Sequence, residues 1–586
     1  MRASLFLGAL VVGAMGAIAA CGSANSGSGF DPNNPSGGDG GTNEGGSGGE
    51  GGILTGGDGG STGDGGVIVG DPKTCADAVT SKSYVGCDYW PTVTANGVWS
   101  IFDYAVVVSN VGTTPADVTV TGGALTSTKT VTVAPGALEK IYLPWVPELK
   151  GADNDQCGDA VPLPASVLKT GGAYHLVSST PIVVYQFNAL EYGPKGGETG
   201  KNWDACPGGN NGPACTNANF PAHVGCFSYT NDASLLLPST AMTLNYRVSG
   251  YPGLGSGTTF LNPYFTVTAT QDATDVTVAL AGTGAVLATS GAGIAATAGG
   301  GTLKFTLAHA GDVAEVAGNN GASSDFSGSL VQSTKPVQVI SGIGCIDIPD
   351  TASACDHLEQ TVLPAETLGK HYIAPMPDKP GGGLGVGVLR FYGNEDGTTL
   401  TYNPSTPSGC PTTLNAGQVA QCTIGKVNAF TGTVTSSNVD VTGDKEFGVA
   451  LFQEGASVYG AIFSSGGSES DPSQTVLASV EQFRLKYLFL APTDYDESYA
   501  DIVGTSDSAP VLDGKAVSAT FAMTGTGPYG VWRVTLDGGP NGDGAHTLTS
   551  DKPVGLQVVG YGANTSYQYP GGLNLNQIAP SPPPPR

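Results

Sequence analysis

Cys21 carries the most defined chemistry in this chain. It closes the run Ile18-Ala19-Ala20-Cys21, in which small residues precede a thiol at the end of an apolar stretch, Leu5 to Ile18, that follows Arg2. That pattern matches a lipobox: the thiol takes a diacylglyceryl group, the leader is cleaved before it, and the new amino terminus is acylated. Several acyl chains, at about 0.8 kcal/mol per buried methylene, hold a protein stably to a membrane. The apolar stretch is too short to span a bilayer, so residues 1–20 read as an export signal. Gly22, not Asp, follows the thiol, which points past the inner membrane to the outer membrane or cell surface. The alternative is ordinary cleavage after Ala17-Ile18-Ala19, which would release the protein and leave an odd thiol.

The chain has 11 Cys, so lipidation of Cys21 leaves an even set suited to disulfides in an oxidising compartment. Cys75 with Cys87, Cys345 with Cys355, and Cys410 with Cys422 are spaced to close short local loops. Cys157, Cys206, Cys215 and Cys226 admit three connectivities, of which Cys206 with Cys215 is favoured. No paired C-x-x-C or His set suggests zinc. Asp494, Asp496, Glu497 and Asp501 are hard oxygen ligands of the kind calcium takes, but they lack the EF-hand spacing and read first as a solvated acidic loop. His357 lies between Asp356 and Glu359 and reads as a structural hydrogen-bonding residue in a turn after Cys355. Two Gly-x-Ser-x-Gly matches, around Ser47 and Ser61, sit in low-complexity sequence without the strand and helix of a nucleophile elbow. Gly381 to Gly387 lacks the Lys-Ser/Thr ending of a phosphate loop. No catalytic set and no cofactor site emerges.

What must position these residues is a β-rich chain behind a tether. From Cys21 to residue 70 the sequence is almost entirely Gly, Ser, Asp, Asn and Glu, with too little apolar surface to offset the entropy of ordering. Beyond residue 71, Val/Thr-rich runs alternate apolar with polar side chains and are broken every 8 to 12 positions by turn residues, the pattern of antiparallel strands. A net charge of -26 argues against nucleic acid or anionic lipid as a partner.

The runs also repeat in a fixed order. Polar turns ending in Pro181, Pro336, Glu446 and Pro553 each lead into an apolar strand. Hairpins such as Tyr104-Ala105-Val106-Val107-Val108 before Asp117-Val118-Thr119-Val120 open the units, and Tyr246, Tyr372 and Tyr487 each follow Leu237-Pro238, Leu363-Pro364 and Leu477-Ala478 at similar spacing. The fold expected is all-β: tandem antiparallel β-sandwich-like modules stapled by disulfides. Their bounds read as 71–195, 228–357, 358–470 and 471–575, with a Cys/Gly-rich insertion at 196–227 and a disordered Pro-rich tail at 576–586. Trp203, inside the insertion, is the tryptophan most exposed to a ligand, whereas Trp90, Trp99, Trp145 and Trp532 read as core. The insertion is either a presented recognition loop or a cap on a sheet edge.

Asp325-Phe326-Ser327-Gly328-Ser329-Leu330 running into Lys335-Pro336-Val337-Gln338-Val339, then Cys355-Asp356-His357-Leu358-Glu359-Gln360 and Gly369-Lys370-His371-Tyr372, resemble the N-terminal domain of IgG-Fc-binding proteins. The likeness covers roughly residues 160–465, and Lys445-Glu446-Phe447 with Phe452-Gln453 extends it. It implies an extracellular binding or adhesion module. The mucin-type repeats of the animal members are missing, so Fc binding is not implied. The expectation is a surface lipoprotein, anchored to the membrane through Cys21, that binds an unidentified protein or glycan. A secreted polysaccharide-acting enzyme and a purely structural envelope component are the rival classes.

Overall fold

In the computed structural model, Val/Thr alternation becomes four β modules built to one plan. The structure describes residues 71–583 apart from 217–221, 257–258, 288–292, 353–354, 429–430, 460–469 and 563–564. Cys21, the signal segment and the tether therefore lie outside the described residues. The chain is nearly all β, as the alternation predicts.

Each module is a sandwich organised by one long spine strand that bends from one sheet into the other. The spines are Tyr174–Asn188, the interrupted pair Leu330–Ser333 and Val337–Ile346, Val439–Gln453 and Ala545–Gly562. Near each bend stand the aligned Pro181, Pro336, Glu446 and Pro553, and at the three prolines a missing N–H interrupts pairing at little cost. Before the bend the spine pairs with a lead strand: Gly86–Tyr89, Asn245–Arg247, Gly369–Ala374 or Arg484–Leu490. After the bend it pairs with a short hub strand: Ala233–Leu235, Asp356–Thr361, Gln474–Val476 or Thr565–Pro570.

One tyrosine fixes each bend. Tyr89, Tyr246, Tyr372 and Tyr487 are all buried, and each hydroxyl donates to the carbonyl one residue past the aligned position, on Ile182, Val337, Phe447 and Val554. Three of these donor–acceptor distances are 2.6 Å. Such a bond satisfies a carbonyl that the bend has taken out of its ladder. Tyr89, the first of the set, lacks the preceding Leu-Pro and so is hidden from the repeat read in the sequence.

The modules form a closed ring around the hub strands, which touch in the order first, second, third, fourth and back to first. Tyr185 of the first module donates to Leu488 and Gly571 of the fourth, and Ser83 bridges Asn574. Module limits differ from the sequence reading in four places. Val167–Lys169 crosses to the second module's sheet, Ala233–Leu235 remains in the first, and the hub strands Asp356–Thr361 and Gln474–Val476 carry the second and third modules past 357 and 470. The Pro-rich tail is not free over its described part: the Ile578 and Ala579 amides donate to the Glu366 carbonyl, Ser581 donates to the Glu366 carboxylate, and Pro582 is buried. Glu366 supplies enough acceptors to hold a segment that composition alone would leave in solvent.

Five disulfides staple the ring. Cys75–Cys87, Cys345–Cys355 and Cys410–Cys422 close local loops. The other four pair as Cys157–Cys215 and Cys206–Cys226, so the favoured Cys206 with Cys215 is corrected. Spacing could not reveal this, because Cys157 reaches the insertion from 58 residues away.

Candidate functional site

The polar residues that stand out in the sequence converge on the hub, where they join modules to one another. Glu359, fully buried, accepts from Thr94 Oγ1 (2.9 Å), Gln186 Nε2 (3.1 Å) and Asn188 Nδ2 of the first module. Asp356 accepts from the Ser566 amide (2.9 Å) and Thr565 Oγ1 (3.1 Å) of the fourth. Asp232 takes the Glu359 amide at 3.0 Å, tying first to second. Ser566 Oγ donates to the Asp471 carbonyl at 2.6 Å, tying fourth to third. Burial pushes the carboxyls of Asp232, Asp356 and Asp471 well above the usual range, and the neighbouring Asp471 adds to the effect on Asp356. These acids are held neutral more readily than an exposed carboxylate, as desolvation requires.

His357 lies in a hub strand and not in a turn. It is fully buried, its Nε2 stands 3.8 Å from Glu359 Oε2, and neither ring nitrogen makes a hydrogen bond. The hydrogen-bonding role expected of it is thus corrected: the strand aims its neighbours, not its ring, at partners. The Asp325-to-Leu330 motif is also a joint. Arg390 of the third module donates to Asp325 Oδ2 (2.6 Å) and Ser327 Oγ (2.9 Å) of the second. Gly328 has φ +84, and a Cβ there would meet the Gly417 carbonyl at 2.2 Å. Only glycine allows the two modules to approach so closely.

The acidic run in the fourth module is dispersed. Asp501 is buried inside the strand Glu497–Thr505, Asp494 Oδ2 caps the Tyr192 amide (2.9 Å), Glu497 accepts from the Gly381 amide (2.8 Å), and Asp496 points to solvent. The solvated-loop reading is corrected accordingly, since Glu497 and Asp501 belong to a strand, and among the described residues no group of three or more His, Cys, Asp or Glu is placed to hold a metal ion. Strand geometry sends alternate side chains to opposite faces, which a contiguous run of acids cannot show.

Trp203 turns inward. It is half-buried, with its ring 5.2 Å from Phe102 and Lys201 Nζ 4.8 Å above its face. Lys201 donates to the Ile101 carbonyl at 2.6 Å and pairs with Asp103, pinning the insertion on the first module. Beside it, burial and the adjacent Asp103 push Glu191 up to about 8. The insertion thus covers the first module, and Trp203 offers no free platform. Trp90, Trp99 and Trp532 are buried, and Trp145 is half-buried beside Tyr104.

What remains open to solvent lies at the seams between modules. A cleft of about 470 Å³ lies between first and second, and one of about 570 Å³ between third and fourth. They occupy equivalent places in the repeat: Thr121 faces His175 in register in the first, and Asn403 faces Asp440 in the second of the two. Each carries an Asp–His pair with the partners exchanged. Asp88, just before Tyr89, meets His175 on the spine at 3.1 Å, whereas His371, just before Tyr372, meets Asp440 on the spine at 2.8 Å. Trp90 stacks on His175 with centroids 4.1 Å apart, and Tyr529 meets His371 edge-on at 5.1 Å. No sequence signal marked these pairs, because each joins residues 69 to 87 positions apart.

Comparison with known families gives one match: the family described as IgGFc binding protein, over residues 232–560, more than half of the chain. The matched span includes both walls of the larger cleft, two of the four spines whole and nearly all of the last. Among curated proteins none matches the chain.

Proposed function

The chain belongs to the IgGFc binding protein family, and from that membership we propose that it is an exported binding protein, anchored to the outer membrane or cell surface through lipid on Cys21. Its work is recognition and adhesion, not catalysis. The observation that carries this reading is the family match itself, which spans the cleft between the third and fourth modules. A rigid ring suits the role: a hydrogen-bonded hub joins the modules and five disulfides brace loops within them, so surface groups are held in place before a ligand arrives.

Labelled-palmitate incorporation in the native host, with Cys21→Ser beside wild type and protease shaving of intact cells, tests the reading. Cys21-dependent labelling and loss of the ring on shaving are expected. Unlabelled protein in the medium would overturn the anchored adhesin and favour a diffusing component.

A further inference from the structure

The cleft between the third and fourth modules has spent most of its directional side chains internally. Asp440 gives one oxygen to His371 (2.8 Å) and the other to Asn403 Nδ2 (3.1 Å). Asn403 Oδ1 accepts from Thr526 Oγ1 (2.8 Å), and Asn438 Oδ1 accepts from Arg533 (2.8 Å) and the Met376 amide (3.1 Å). Arg533 also faces the buried Asp378 and Asp501, 3.7 and 3.5 Å from its Nε. A sugar ring is held by free planar amides and carboxylates, and here those groups are occupied.

The backbone tells otherwise. The strand Ala522–Met523 is the outermost of its sheet and pairs only with Tyr529–Thr535. Thr524 N donates to the Tyr529 carbonyl at 2.8 Å. In an antiparallel ladder, hydrogen-bonded pairs alternate with pairs whose N–H and C=O point outward. With Thr524 and Tyr529 bonded, the pair Met523 and Gly530 is the outward kind, so Met523 turns both backbone groups away from its sheet. Met523 is 59% exposed, on the wall of the cleft. Ser436 lines the same cleft and has a buried hydroxyl without a hydrogen-bond partner. Tyr402, Pro404 and Pro407 supply apolar surface beside these groups.

We propose that this cleft binds an extended, cationic polypeptide segment of a partner protein, which adds as a strand to the free edge at Met523. One partner residue exchanges two hydrogen bonds with Met523, its neighbours lie on Tyr402 and the prolines, and flanking Lys or Arg side chains meet a chain of net charge -26. The inference deepens the binding reading by giving the ligand class and the mode of contact, and it rests on that reading.

The test uses the full chain and two acetylated hexapeptides of alternating Thr and Val, one ending in lysines and one in glutamates, followed by fluorescence anisotropy and amide hydrogen exchange. The lysine peptide is expected to bind more tightly than the glutamate one, with a preference that shrinks in high salt, and to slow exchange at Met523. Met523→Pro removes the outward N–H while leaving the ladder bonds in place, and is expected to weaken binding by about tenfold, the worth of one backbone hydrogen bond. Met523→Arg, which blocks the cleft without altering the backbone, is expected to abolish it, and unchanged melting temperatures verify that both variants fold. Binding undiminished in both folded variants, or no binding of either peptide, would overturn the proposal. Immobilised full chain is also exposed to proteins of the host's surroundings. Capture equal in wild type and Met523→Arg overturns the cleft but leaves the binding reading standing, whereas capture by neither, with no peptide bound, overturns both.

Discussion

The hub and the seam clefts draw on the same residue types, carboxylates, amides and hydroxyls, yet put them to opposite use. In the hub, Glu359, Asp356 and Asp232 are sealed from water, and each accepts or donates a bond that joins one module to another. In the clefts, Asp88 and Asp440 bond within their own module and remain beside solvent-filled space. The difference teaches where this fold keeps stability and where it is free to vary: a buried acid that loses a partner strands charge or dipoles, whereas a rim acid that loses one is rescued by water.

Glu359→Ala is the severest way to probe the contrast. It leaves donors on Thr94, Gln186 and Asn188 buried without an acceptor, and is expected to cost about 3–5 kcal/mol in denaturant unfolding. A cost near that of a surface change would erase the distinction between hub and rim. Gly328→Ala should follow at about 2–3 kcal/mol, since it strains a positive φ and drives a methyl into the Gly417 carbonyl. Tyr246→Phe, Tyr372→Phe and Tyr487→Phe should each cost about 1–2 kcal/mol, and near-equal losses would sharpen the claim that the bends are equivalent.

Acidity gives a further handle. Burial raises Glu191 to about 8, Glu454 to about 7 and Asp347 to about 6. Unfolded carboxyls titrate near 4 to 4.5, so between there and pH ~8 the folded ring binds more protons than the unfolded chain. Stability from these groups is therefore full below pH ~4 and lost as pH rises through 6, 7 and 8. The melting temperature is expected to fall from pH 5 to pH 8, and Glu191→Gln to flatten that slope. The smallest change belongs to the rim: Met523→Ala should move stability by no more than about 0.5 kcal/mol.

The sandwich plan was legible because it is local. Val/Thr alternation, the proline at three of the four bends and three of the four tyrosines are all visible within windows of a dozen residues. Their partners are not. Glu359 bonds residues more than 170 positions away, and nothing around Cys355-Asp356-His357 distinguishes a turn from an axle. The same limit explains Trp203, whose covering Phe102 belongs to a distant loop, and the acids from Asp494 to Asp501, which adjacency groups and a strand separates. The family-like motifs were seen correctly as special, but what they mark is the contact between modules. The cleft between the third and fourth modules was illegible because its defining feature, an outward-facing edge at Met523, is a property of pairing and not of residue type.

The knitting of Ser83 to Asn574 has a mechanical consequence. Just ahead of it, Arg484 pairs with Asp71, and Cys75 is covalently joined to Cys87 in the first lead strand. Tension arriving through residue 71 therefore meets an ion pair first. It then passes across the disulfide into the strand Gly86–Tyr89, which pairs with the first spine, without peeling the short helix Cys75–Ser81 that lies between the two cysteines. The covalent link shunts load past the segment easiest to unravel, and a pull on the chain is shared by the whole ring before any one module gives way.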